Sequence, residues 1–206
     1  MLKVNKPKEE PSFFKEFKKK NKLASWNDYD KYPEIKADLK THMLIEEQDG
    51  YCPYCERSID DSDKCHIEHI KPKGTNEYAH MFQEYDNLLT SCNGKRTCGY
   101  SKKGKFSDDF INPVESDPKE FLRFDLYSGK VKPLKEETHS DYQKADYTIK
   151  TLNLNDKGLL NERVTFLTML SDMEKSYEEN EFREILQDFI KGGQNFKSIM
   201  ELYLDS

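Results

Sequence analysis

Residues 50–104 read GYCPYCERSIDDSDKCHIEHIKPKGTNEYAHMFQEYDNLLTSCNGKRTCGYSKKG and hold all five cysteines and three of the five histidines of the chain. Cys52 and Cys55 form a C-x-x-C pair on a tight turn around Pro53, and Cys92 and Cys98 form a wider pair further on. A structural zinc ion takes four thiolate or imidazole ligands in a tetrahedron, and a C-x-x-C knuckle supplies two of them on one edge. Cys52, Cys55, Cys92 and Cys98 are therefore the expected zinc set, with Gly94 and Gly99 letting the backbone fold the wider loop. Cys65 is left over and is the alternative to Cys92 or Cys98. The odd cysteine count favours a metal in a reducing compartment over a disulfide framework.

Between the cysteine pairs, CHIEHIKP alternates apolar and polar residues like a short strand ended by Pro72. On a strand, His66 and Glu68 share one face. Glu68 and His69 stand near its end, and Asp86-Asn87 precedes the apolar Leu88-Leu89. Two thiolate pairs around a His and an Asn point to a metal-stapled site with chemistry in its middle. By itself His69 would read as a strand histidine satisfied by a carbonyl, and Asn87 as a turn residue; the weight comes from their company. His42, His80 and His139 have no such company.

The totals bound the reading. At 206 residues, one domain or two small ones fit the length, and 35% hydrophobic against 35% charged residues makes a polar chain. Twelve Phe and twelve Tyr supply a core that the aliphatic residues alone would not. Residues 134–206 hold 15 acids and 9 bases and account for the whole net charge of −6, while residues 1–133 balance at 24 and 24. Within that neutral part, residues 92–106 carry Lys95, Arg96, Lys102, Lys103 and Lys105 and no acid, which suits either a phosphate backbone or a solvated loop. No run reaches the length of a membrane span and the N-terminus has no signal-peptide core, so the expectation is cytoplasmic.

Residues 1–12, with two prolines among charges, read as a loose tail. Phe13, Phe14 and Phe17 among lysines suggest a short amphipathic helix on its own domain, or a docking strip. Trp26, Tyr29 and Tyr32 anchor a loop ending at Pro33, and Ile35, Leu39 and Met43 make one helical stripe ending near Gly50. FLRFDL, YSGK and VKPL predict a hairpin turning at Gly129. Helical stripes follow at Tyr142, Ala145, Ile149 and Leu152; at Leu160, Val164, Leu167 and Leu170; at Phe182, Ile185, Leu186, Phe189 and Ile190; and at Phe196, Ile199, Met200 and Tyr203. The expected units are a tail and docking segment (1–33), a zinc-stapled domain (34–133) and an acidic helical region (134–206).

Glu68-His69-Ile70-Lys71-Pro72 followed by Asn87-Leu88-Leu89 resembles the HNH (ββα-metal) nuclease motif. The resemblance implies that His69 is the general base on a water, that Asn87 orients His69 through a bond to it, and that Glu68 helps to hold one divalent ion, Mg2+ or Mn2+. It also implies that Lys102 or Lys103, the trailing lysine, contacts phosphate; Lys71, and Lys95 and Arg96 of the basic loop, are the other expected substrate contacts. The expected fold class is then α+β, mainly helical: a small zinc-stapled ββα-metal core flanked by N-terminal and C-terminal helices. One departure stands out. Where the motif places a His or Asn ligand after the last Cys, this chain has Gly99, and His66, Asn93, Asp108 or Asp109 has to replace it, with His66 preferred.

The run from Gln48 to Glu56, HIEHIKPK at 66–73, DNLLTSCNG at 86–94, and Leu152-Asn153-Leu154-Asn155 with Leu160 and Arg163 are similar to the retron-associated and Septu-type HNH nucleases, the PtuB-like proteins. This resemblance spans residues 34–170 and implies a bacterial anti-phage effector that cuts DNA, with RNA as the other candidate, beside a PtuA-like ATPase of the ABC/SMC type. The acidic C-terminal helices or the Phe13–Phe17 strip would dock that partner. The alternative function is a zinc-stapled adaptor that binds nucleic acid or protein without cutting, for which Gly99 speaks. A redox role for the C-x-x-C needs a βαβ context that this chain lacks.

Overall fold

The computed structural model describes residues 1–205. Two antiparallel strands, β1 (Cys65–His69) and β2 (Leu88–Cys92), pair Cys65 with Cys92, Glu68 with Leu89 and His69 with Leu88. The short helix α3 (Cys98–Lys102) follows and packs against β2. β2 is buried along its whole length because both of its faces are covered. Leu88 faces an aromatic cluster and Leu89 the larger core, each burial worth about 1.5–3 kcal/mol. The outer edge of β2 is closed by a side chain: Gln48 donates to the Thr90 carbonyl at 2.8 Å and accepts from the Thr90 amide at 2.8 Å. That pairs the outward backbone groups of Thr90, which a two-stranded sheet would otherwise leave open.

The aromatic cluster comes from the N-terminal third. Helix α1 (Ser12–Lys20) inserts Phe14 and Phe17 against Trp26, Tyr29, Leu39, Met43, Phe82, Tyr85 and Leu88. The helical reading of the Phe13–Phe17 strip holds, and Phe14 and Phe17 are turned into the fold. Helix α2 (Pro33–His42) starts on Pro33, whose fixed φ suits a first helical position, and runs on through a wide turn at Met43–Glu47 to deliver the chain to Cys52.

The expected loose tail is a strap. The Met1 ammonium meets Glu56 Oε1 at 2.6 Å, Leu2 donates its amide to the Pro53 carbonyl, Val4 to that of Pro113, and Lys6 reaches Glu47 at 2.7 Å. An extended segment whose partners are all distant in sequence leaves no periodicity to read.

The predicted hairpin forms as β3 (Leu122–Phe124) and β4 (Val131–Pro133), turning through Gly129 at φ +67°. Helices α4 (Ser140–Leu152), α5 (Lys157–Ser176), α6 (Glu179–Lys191) and α7 (Lys197–Leu204) complete the chain. In α5 the buried face is rotated from the expected one: Leu159, Arg163, Phe166 and Leu170 point inward beside Leu167, and Val164 is exposed. The fold is α+β and about half helical, with two small two-stranded sheets among the described residues. A single core joins the four cysteines of the expected zinc set to α4–α7, so packing is continuous across residue 134. No helix of the described residues is long and apolar enough to cross a membrane.

Candidate functional site

Cys52, Cys55, Cys92 and Cys98 are brought together as expected, all buried, with their sulfurs within 4.8 Å of one another. Cys52 and Cys98 lie 3.8 Å apart, Cys55 and Cys92 3.6 Å, and Cys92 and Cys98 3.7 Å. Two sulfurs each about 2.3 Å from one ion span about 3.8 Å along a tetrahedral edge. The cluster therefore fits a metal such as zinc and is too open for a disulfide. Burial alone would raise Cys52, yet hydrogen bonds from Cys55, Cys92 and Cys98 outweigh it and hold that thiol well below its ordinary value. Bonds to the neighbouring sulfurs, with burial adding to them, hold Cys98 well above. A cation is what lets all four ionise together. Cys65 stands outside the set, buried in β1.

On the α3 side of β1, His66 and Glu68 share a face as their spacing requires, with His66 Nε2 3.5 Å from Glu68 Oε2. His66 Nδ1 and Asn93 Oδ1 are 2.9 Å apart; the carbonyl oxygen can only accept, so Nδ1 carries the proton. Gly99 and Lys102 lie three residues apart in α3 and so face Glu68 together. A Cβ on residue 99 would sit 2.7 Å from both Glu68 Oε2 and His66 Nε2. Lys102 Nζ, fully buried, donates to Glu68 Oε1 at 2.9 Å and to the His69 carbonyl at 2.9 Å. Lys102 is thus placed inside the fold as a counter-charge to Glu68, with two of its three ammonium donors on Glu68 Oε1 and the His69 carbonyl. Burial would raise the Glu68 pKa, but His66 and Lys102 hold it below the ordinary carboxylate value. Burial likewise lowers His66, and Glu68 and Asn93 reverse the shift. Among the described residues no further acid, Asp108 and Asp109 included, joins this pair as a third ligand group.

His69 is buried, and its Nε2–H donates to the Phe82 carbonyl at 3.0 Å, which leaves the ring lone pair on Nδ1. Trp26 stands edge-on to the ring at 4.6 Å. Burial, with the nearby Lys73 charge adding to it, pushes His69 down to about 4, so the imidazole is neutral at pH 7. The expected bond from Asn87 to His69 is replaced by a backbone clasp. Asn87 Oδ1 accepts from the Lys71 amide at 2.7 Å, and Nδ2 donates to the Lys71 and Met81 carbonyls at 3.0 and 3.1 Å. An amide with one acceptor and two donors matches a loop offering one N–H and two carbonyls.

The basic residues divide. Lys71 is half-buried with its ammonium 6.0 Å from the Phe106 ring centre, and Lys103 is exposed. Lys95 and Arg96 border a separate cleft with Asp156 and Glu162, where Arg96 pairs with Asp156 at 3.2 Å. Missing from the sequence-based site were Lys73, Trp26 and Phe82. Lys73 follows Lys71 by two residues in the same HIKPK run, and Trp26 is the single tryptophan of the chain. Phe82 acts through its backbone, which no side-chain pattern reveals. Compared with protein-family models and with curated proteins, the chain matches none.

Proposed function

We propose that the chain is a metal-dependent HNH endonuclease that hydrolyses phosphodiester bonds of DNA, with RNA as the other candidate. His69 carries the reading: a neutral, buried imidazole with Nε2–H spent on Phe82 and its lone pair on Nδ1, next in sequence to Glu68. A general base has to be unprotonated and held in place, and His69 is both. In the proposed reaction His69 takes the proton of the attacking water. Asn87 keeps the strand end in place through the Lys71 backbone, and Lys71 and Lys73 attract the phosphate. Glu68 and His66 would hold a divalent ion, Mg2+ or Mn2+, which supplies charge stabilisation at the scissile phosphate. Cys52, Cys55, Cys92 and Cys98 would hold a structural zinc ion.

The resemblance to PtuB-like proteins supports a role in anti-phage defence beside a PtuA-like ATPase. With Phe14 and Phe17 inside the fold, the exposed acids of α6, Glu179, Glu181 and Glu184, are the proposed docking surface. A second reading, a zinc-stapled adaptor, is favoured by Lys102, which already neutralises one oxygen of Glu68. Nicking of supercoiled plasmid by the zinc-replete protein tests the two. Cutting that needs Mg2+ or Mn2+ and falls about 100-fold or more in His69→Ala supports the nuclease. Undiminished cutting by that variant removes His69 as base, and no cutting with or without the ATPase favours the adaptor.

A further inference from the structure

We infer that His66 and Glu68 form a nitrogen–oxygen cation site that exists because residue 99 is glycine, and that it prefers first-row transition ions to Mg2+. The inference deepens the nuclease reading and rests on it for its use, but its test is a binding measurement.

Three observations converge. A Cβ on residue 99 would meet His66 Nε2 and Glu68 Oε2 at 2.7 Å each, so any side chain there would fill the space in which these two atoms meet. The two atoms are 3.5 Å apart, and ligands each about 2.1 Å from one ion at a tetrahedral angle are about 3.4 Å apart. The ring is also set for it: Nδ1–H is spent on Asn93 Oδ1 at 2.9 Å, and Asn93 is itself turned by donating to the Asp63 carbonyl at 3.0 Å. A ligating histidine is oriented by this kind of outer bond, which fixes the tautomer and leaves the other nitrogen as donor to the ion. Lys102 occupies Oε1 and so leaves Oε2 to the site. The His66 side chain is 29% exposed, so an ion arrives from solvent.

A lone pair facing a carboxylate oxygen repels unless a proton or a metal ion lies between them. Mg2+ prefers oxygen ligands and keeps its waters, whereas imidazole suits nickel, iron and zinc, and affinity rises from Mn2+ to Ni2+. With an imidazole nitrogen from His66 beside one carboxylate oxygen of Glu68, the site favours transition ions over Mg2+.

The test is isothermal titration of untagged, zinc-replete protein with MgCl2, MnCl2 and NiCl2. One site binding Ni2+ about tenfold or more tighter than Mg2+, with Mn2+ between, is expected. His66→Ala should remove that preference. Gly99→Ala should do the same while circular dichroism and zinc content stay unchanged, and Asn93→Ala should weaken Ni2+ by roughly 10–100-fold. Equal affinity for Ni2+ and Mg2+, or wild-type Ni2+ binding by His66→Ala, overturns the inference. A protein that binds Ni2+ through His66 yet cuts no nucleic acid supports the site and defeats the nuclease reading. A His66→Ala variant that cuts with Mg2+ at full rate and binds Ni2+ as wild type does keeps the nuclease and overturns the site.

Discussion

Two histidines on one strand are tuned in opposite directions by what each faces. His66 meets a carboxylate and is raised, while His69 is buried beside Trp26 with the Lys73 charge near it and is pushed down to about 4. An unfolded imidazole titrates near about 6.5, so the unfolded chain takes up the proton first as the medium is acidified. The folded-state pKa of His69 is depressed, hence its contribution is lost as pH falls from about 6.5 towards 4. Between pH 7 and pH 5 that amounts to about 2 kcal/mol. Urea denaturation of zinc-replete protein should show wild type losing about 2 kcal/mol more than His69→Gln over this interval; equal losses would mean that the fold does not exclude the proton. At this scale the shared face of His66 and Glu68 was legible, because strand periodicity alone implies it. Lys102 was not: a lysine among five bases reads as solvated, and only the placement of α3 beside Glu68 reveals that its ammonium is inside.

Between elements, the link from β1 to β2 is held by one side chain. Asn87 joins the Lys71 amide, the Lys71 carbonyl and the Met81 carbonyl, and its own carbonyl accepts from the Ile70 amide at 2.9 Å. Deleting the side-chain amide leaves the Lys71 amide and carbonyl without this partner, while the Met81 carbonyl keeps the Glu84 amide, so Asn87→Ala should cost about 2–4 kcal/mol in urea denaturation. Asn87→Asp should be destabilised as well, since a carboxylate would face two carbonyl oxygens. Wild-type stability in Asn87→Asp with activity alone lost would instead place Asn87 directly in the chemistry. Helix stripes were legible where the apolar residues recur at i, i+3 and i+4 on one face, as in α6 and α7. In α5 two neighbouring leucines, Leu159 and Leu160, offered two registers. The inward one is observed: it places the Arg163 guanidinium inside, where Nη1 donates to the Leu154 carbonyl at 2.8 Å, the group lies 5.2 Å from the Phe124 ring centre, and Nε has no partner.

Across the whole molecule, the cysteine knuckle ties both ends of the chain to its middle. Glu56, the residue after Cys55, turns at φ +65° and buries a carboxylate that meets the Met1 ammonium and accepts from the Ser198 amide at 2.8 Å. Its carbonyl accepts from Phe196, Ser58 donates to Asn195 at 2.7 Å, and the Tyr51 hydroxyl donates to the Gln194 carbonyl at 3.1 Å. The charge asymmetry of the sequence suggested a separate acidic region, but charge records only the outer faces of the helices; their inner faces join the cysteine core. Zinc binding to such a set contributes on the order of 10 kcal/mol, comparable to the whole stability of a domain. Zinc removal, or Cys52→Ser, should therefore release α7 together with β2, read as loss of hydrogen-exchange protection over residues 197–204 and 88–92 in parallel. If α4–α7 instead kept their protection after zinc left, the helical region would stand as an independent unit and the knuckle would organise the sheet alone.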